Sequence, residues 1–265
     1  QADLLIADGF IEPHLIAGYS GGRKAVLPGI ASRTSVRGNH NGGFIDSKYA
    51  RTGVMDHNPI HIDMIKAAKL ASLAFIVNVV LDANKRIVGC FSGNPYSAHL
   101  KGTKLVDSMM STKPIFTDIT ITSNGGYPLD QNLYQCVKGL AGGQATNKKN
   151  GVIILVASLV DGSGGERFYN EFKHSLHISD IYSQAVRTPA EKTHQDQWAS
   201  QLFARPTLNH TVIVVTSAKN IKMLSDMKLK SATSIQKALQ MADEVVGKNA
   251  SIAVLPDGIS TIIKE

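Results

Sequence analysis

Cysteine is scarce in this chain: 265 residues contain two, Cys90 in a strand-like run and Cys136 in a helix-like one. That excludes a disulfide framework and any cysteine pair at metal-ligand spacing, so both read as reduced core thiols of a cytoplasmic protein. Long apolar runs are missing too. The richest, AFIVNVVL at 74–81, ends at Asp82, whereas a membrane span needs ~20 apolar residues. No membrane partner is expected. The opening DLLIAD has no start methionine, basic region or signal-like stretch, and reads as a strand whose upstream segment has been removed or left out. Aromatics are few, at 6% with one Trp, and the Lys and Arg residues behind the net charge of +7 are scattered rather than interleaved with aromatic residues. This charge suits anionic ligands and a solvated surface, and no nucleic-acid partner is expected. Neither internal repeats nor low-complexity tracts occur.

With 43% hydrophobic and 18% charged residues the chain can bury a large core. Short Val- and Ile-rich runs alternate with segments whose apolar residues recur every three or four positions, which predicts an α/β protein. Strands are predicted at 3–7, 74–81, 86–91, 115–121, 152–158, 211–216 and 251–255. Helices are predicted over 59–73, with Ile62, Ile65, Ala68 and Ala71 on one face after the Asn58-Pro59 start signal, and near 95–110, 131–142, 194–204, 219–227 and 234–246. The polar stretch Ser111–Pro114 divides two α/β domains, 1–112 and 113–245. The final strand is expected to return to the first domain through 246–265, so that the second is an insertion before the last strand, with a cofactor cleft between the two.

Between the first predicted strand and position 30 lies HLIAGYSGGRKAVLPGI, rich in glycine. Its Gly21-Gly22-Arg23-Lys24 step has neither the P-loop nor the dinucleotide spacing. Glycines in such numbers mark close backbone approach or positive φ, and a plain tight turn is the simplest account. His14 precedes Lys24, and His40 follows in RGNHNGG, a second polar loop. Such histidines can be bases or metal ligands, or ordinary surface residues, and a lysine beside Arg23 can serve as a nucleophile. In NLYQCVKGL helical spacing puts Gln135 and Lys138 on one face with Tyr134, able to hold a carboxylate or simply to meet water. Trp198 sits in an amphipathic helix where a core anchor is the usual role. His57 and His61 are expected at a helix start and on the surface, and His99 in a structural role. The glycine-rich DGSGGER loop at 161–167 suggests no chemistry.

Taken together, IEPHLIAGYSGGRKAVLPGIAS, NHN, NGGYPLDQNLYQCVKGL and DGSGGERF, in this order along the chain, resemble the nickel-dependent lactate racemases. The resemblance implies a pyridinium-3-thioamide-5-thiocarboxylic acid mononucleotide, the nickel-pincer nucleotide, linked covalently to Lys24, with nickel held by His40. It implies that His14 is one of two catalytic histidines, the other lying in the family's upstream segment, and that Gln135 and Lys138, beside Tyr134, orient the substrate. Trp198 would lie against the pyridinium face, and Gly21, Gly22 and Arg23 would line the cofactor's loop. The implied partners are a small 2-hydroxy acid, the missing N-terminal segment and cofactor maturation enzymes. Alternatives from the residues alone are another 2-hydroxy acid with the same cofactor, or a non-catalytic nucleotide- or nucleic-acid-binding module.

Overall fold

The structure is a computed structural model that describes residues 3–264. It divides into two compact units, one running to Thr112 with Thr188–Thr193 and Lys264, the other comprising Lys113–Arg187 and His194–Ile263.

The first unit contains β1 (Leu5–Phe10), a small hairpin of β2 (Pro13–His14) and β3 (Gly18–Tyr19), a 3-10 turn at Gly22–Ala25, α1 (Arg33–Asn39), α2 (Gly42–Asp46), α3 (Pro59–Leu70), β4 (Leu73–Leu81), β5 (Ile87–Gly93), α4 (Pro95–Met110) and β6 (Ser111–Thr112). Its sheet has the order β1-β4-β5, with β1 parallel and β5 antiparallel to β4. Helix starts follow sequence chemistry: Asn58 and Asn94 each accept two backbone N–H groups and each is followed by Pro at the first helical position. The core gathers Ala7, Val26, Ala68, Leu73, Ile76 and Ala98. On α3 the buried stripe is Ile60, His61, Met64 and Ala68, while Ile62 is exposed, so the predicted face is corrected by about one residue. His61 is drawn inward by a hydrogen bond from Arg23, which corrects its expected place at the surface. Cys90 is exposed on β5, an edge strand, and is not the core thiol expected; Cys136 is buried.

The second unit contains β7 (Thr117–Ser123), α5 (Val137–Ala145), β8 (Asn147–Val156), α6 (Glu166–His174), α7 (Ile178–Arg187), α8 (Gln197–Thr207), β9 (Thr211–Val215), α9 (Ile221–Asp226), β10 (Lys230–Ala232), α10 (Ile235–Val246), β11 (Ile252–Leu255) and β12 (Ile262–Ile263). Five strands form a parallel sheet in the order β10-β9-β8-β7-β11. The central β8 is buried from Gly151 through Leu155, an apolar run with helices to cover both faces. Strand β11 pairs in parallel with β7 from Ile252 to Leu255. The expectation that the last predicted strand returns to the first domain, making the second an insertion, is thereby corrected: its ladder partners lie in the second unit. The chain walks β7, β8, β9, β10 outward and then returns to the other side of β7, which creates a topological switch point between β7 and β11. In open parallel sheets ligands bind outside the carboxyl ends of the strands at such a point.

Candidate active site

The tight β2–β3 hairpin turns the chain back so that His14 and Lys24 meet. Lys24 Nζ lies 3.0 Å from His14 Nε2. The other ring nitrogen, Nδ1, accepts the N–H of Ala17 at 3.2 Å and that of Ile16 at 3.4 Å. Both side chains are half-buried.

His40 is the residue that ends α1, its N–H donating to Val36 O at 2.9 Å. The asparagines on either side explain the NHN string. Asn39 is buried and donates to Ile60 O at 3.2 Å and Asp63 Oδ2 at 2.9 Å. Asn41 caps α2 by accepting from Phe44 N–H at 3.0 Å while donating to Gly38 O at 2.7 Å. Burial, and then the charge of Lys24, push the His40 imidazole down to about 4. A neutral imidazole keeps a lone pair available, as metal ligation requires. Among the described residues no group of three or more His, Cys, Asp or Glu is gathered around a metal position.

Gly21, Gly22 and Arg23 serve the loop itself. Gly21 (φ +78) and Gly22 (φ +53) adopt left-handed backbone, and a Cβ on Gly22 would stand 2.9 Å from the His99 ring. Gly22 N–H donates to Asn78 Oδ1 at 2.7 Å. Sequence reasoning passed over Asn78, although a lone polar residue within LAFIVNVVL was a signal; it is buried at 1% exposure. Arg23, also 1% exposed, directs its guanidinium inward to backbone carbonyls, His61 and His99.

In the second unit Gln135 and Lys138 lie on the segment that follows β7, at the carboxyl end of the sheet beside the switch point. The helix expected over 131–142 begins only at Val137, so Tyr134, Gln135 and Lys138 do not share a helical face. The reason is local. Asn132 Oδ1 accepts Gln135 N–H, and the N–H groups of Leu133 and Tyr134 go to Gly162 O and Ser163 O, each at 3.0 Å. The DGSGGER loop is thus a backbone brace for the segment carrying Tyr134 and Gln135. Tyr134 Oη donates to Asp196 Oδ1 at 3.0 Å, and burial followed by the Asp196 charge pushes its phenol up. Trp198, in the first turn of α8, meets the Tyr134 ring edge-on with centroids 5.3 Å apart. Phe168 stands against Tyr134 and joins Phe172 and Phe203.

An α/β chain with an amine and an imidazole paired in a glycine loop, and a polar segment at the switch point of a parallel sheet, has the organisation of a small-molecule enzyme. Comparison with known proteins makes the class specific. The lactate racemase C-terminal domain family matches residues 112–263, and the lactate racemase N-terminal domain family matches residues 1–53. A lactate racemase of Thermoanaerobacterium thermosaccharolyticum is 49% identical over 265 residues, and one of Lactiplantibacillus plantarum is 47% identical over 264. All of this chain is covered in both, and it spans 62% of the length of each relative. The solved lactate racemase apoprotein of T. thermosaccharolyticum superposes with a TM-score of 0.98 over 100% of this chain and 64% of its own, at 49% identity. A Thermotoga maritima protein shares the fold at a TM-score of 0.70 and 18% identity, covering 99% of this chain and 67% of its own. The chain belongs to the lactate racemase family.

Proposed function

We propose that this chain is the larger part of a 2-hydroxy-acid racemase that interconverts D- and L-lactate, using a nickel-pincer nucleotide tethered to Lys24 with His40 as the protein's nickel ligand. The observation that carries this reading is the 3.0 Å approach of Lys24 Nζ to His14 Nε2 within the glycine loop of a lactate racemase family member.

The residues fit the group. Lys24 is the amine that would form the covalent link, and it is held 3.0 Å from His14 Nε2. His40 supplies a neutral imidazole. The bound nucleotide would hold nickel together with His40. When present, that nucleotide supplies a hydride acceptor for the carbon bearing the hydroxyl, which avoids placing a carbanion beside a carboxylate.

The chain's own part is to bind, orient and move protons. With Lys24 holding the nucleotide, His14 Nε2 would exchange a proton with the substrate's 2-oxygen. Taking up that proton requires Nδ1 to carry its own and to relax the contacts with the Ile16 and Ala17 N–H groups, which at 3.4 and 3.2 Å are at the weak end of hydrogen bonding. A second base, expected from a segment outside this sequence, serves the opposite face. Gln135 and Lys138 orient the carboxylate by charge-assisted hydrogen bonds. Tyr134 shapes their surroundings rather than acting as a base, because its hydroxyl proton is directed to Asp196. Trp198 offers the indole against which a pyridinium gains roughly 0.5–2 kcal/mol. The setting is cytoplasmic, where maturation enzymes would load the nucleotide.

Intact-mass and peptide-mass measurements on the protein matured with those enzymes test this reading. The expected result is one nucleotide adduct, mapped to Lys24, with bound nickel. A racemising protein carrying neither would overturn it.

A further inference from the structure

The mechanism leaves three buried titratable side chains unused, and they meet behind the tether. Arg23 Nε donates to His61 Nδ1 on α3 at 3.0 Å, and Nη1 lies 2.9 Å from His99 Nε2 on α4. Nη2 donates to Ala17 O at 2.8 Å, and Nη1 also faces Gly21 O at 3.2 Å and Ser20 O at 3.4 Å. His99 Nε2 lies 2.8 Å from the same Ser20 carbonyl. No carboxylate is among these partners of the guanidinium. Burying an arginine this way is unfavourable unless its geometry serves something.

We propose that Arg23, His61 and His99 act together as positioning residues for Lys24: a buried clamp that fixes the loop from Ala17 to Lys24 so that its amine meets His14. Arg23 is joined to both members of the pair. It precedes Lys24 in the chain, and it grips the carbonyl of Ala17, the residue whose N–H donates to His14 Nδ1. One planar group therefore sets the position of the amine and the orientation of the imidazole. His61 and His99 hold that group from two helices, and Gly22, bare of Cβ, lets the loop lie on the His99 ring. Lysine could not replace Arg23, since a compact ammonium has no fork to span partners on three elements.

The inference rests on the proposed function only in naming Lys24 as the tether. Its test uses the full chain without nickel or nucleotide: brief acylation with acetic anhydride at neutral pH, followed by peptide mass mapping of Lys24 against the exposed Lys85. Lys24, half-buried and engaged by His14, is expected to react more slowly than Lys85 by about fivefold, a factor of the size one hydrogen bond supplies. Arg23→Met and His61→Leu should abolish that protection. His61→Asn and His99→Gln place amide groups near the lost ring nitrogens and should retain it. The proposal is overturned if wild-type Lys24 reacts like Lys85, or if folded Arg23→Met or His61→Leu keeps the protection. Should those two fail to fold by circular dichroism, the amide variants decide: retention supports the clamp and loss overturns it. These ratios stand apart from the function reading, because a matured protein without an adduct would sink that reading and leave them unchanged.

Discussion

Gly22 shows how closely the tethering loop is fitted. Its φ of +53 lies where only glycine is at ease, and a Cβ would meet the His99 ring at 2.9 Å. Gly22→Ala should therefore lower stability by roughly 1–3 kcal/mol through left-handed strain, with displacement of His99 added. Urea denaturation checks this, and an unchanged midpoint would show that the loop has room to adjust. At this scale the sequence was informative about chemistry and poor about geometry. His14, Lys24 and His40 were visible as reactive types in polar, glycine-rich loops. The 3.0 Å contact between His14 and Lys24 was not, because it depends on a hairpin two residues long on each side. Nothing in GGRK tells which of two adjacent basic side chains turns inward. The answer lies with His61 and His99, far away in the chain and brought close only by α3 and α4.

At the level of elements, caps and punctuation carried most of the information. The Asn58-Pro59 signal placed the start of α3 at Pro59, the helix expected near 95 starts at Pro95, and the Val- and Ile-rich runs began within five residues of the observed strand starts. Helix α5 failed because the N–H groups of Leu133 and Tyr134, which a local pattern assigns to a helix, are taken by carbonyls about thirty residues on. That partner, the DGSGGER loop, looked inert for the same reason. Gly164 fixes the loop's approach: its φ is +83, and a Cβ there would sit 2.5 Å from Asn132 Cγ. Gly164→Ala should push the loop from the Asn132–Tyr134 segment and loosen the packing of Tyr134 on Trp198. The expected readouts are a red-shifted Trp198 emission and a loss of roughly 1–3 kcal/mol. Because Trp198 is the chain's single tryptophan, the emission reports this contact directly. An unshifted spectrum with normal stability would count against the brace.

Whole-molecule behaviour follows from how differently the two units store titratable groups. In the first unit, burial and then the Arg23 charge push His61 down to about 4 and His99 to about 3, whereas an unfolded histidine titrates near 6.5. Between these values the unfolded chain binds more protons, so the stability these residues support is present above about 6.5 and is lost as pH falls through about 4. Asp56 near His61 opposes the shift without reversing it. In the second unit the shifted carboxylates Asp118 and Asp226 are held down mainly by hydrogen bonds from Lys148, Ser251, Tyr169 and Lys222. Such groups lose their contribution only at lower pH, near and below the ordinary carboxylate range. Acidification from pH 7 to 5 should therefore release the first unit before the second. Hydrogen exchange is expected to rise in 17–24 and 58–64 while Trp198 emission, which belongs to the second unit, stays constant. Replacing the two histidines beside Arg23, as His61→Asn with His99→Gln, should weaken this acid dependence, since amides do not titrate, and leave the share carried by His40, itself pushed down to about 4. A double variant as acid-sensitive as the wild type would place the proton uptake elsewhere.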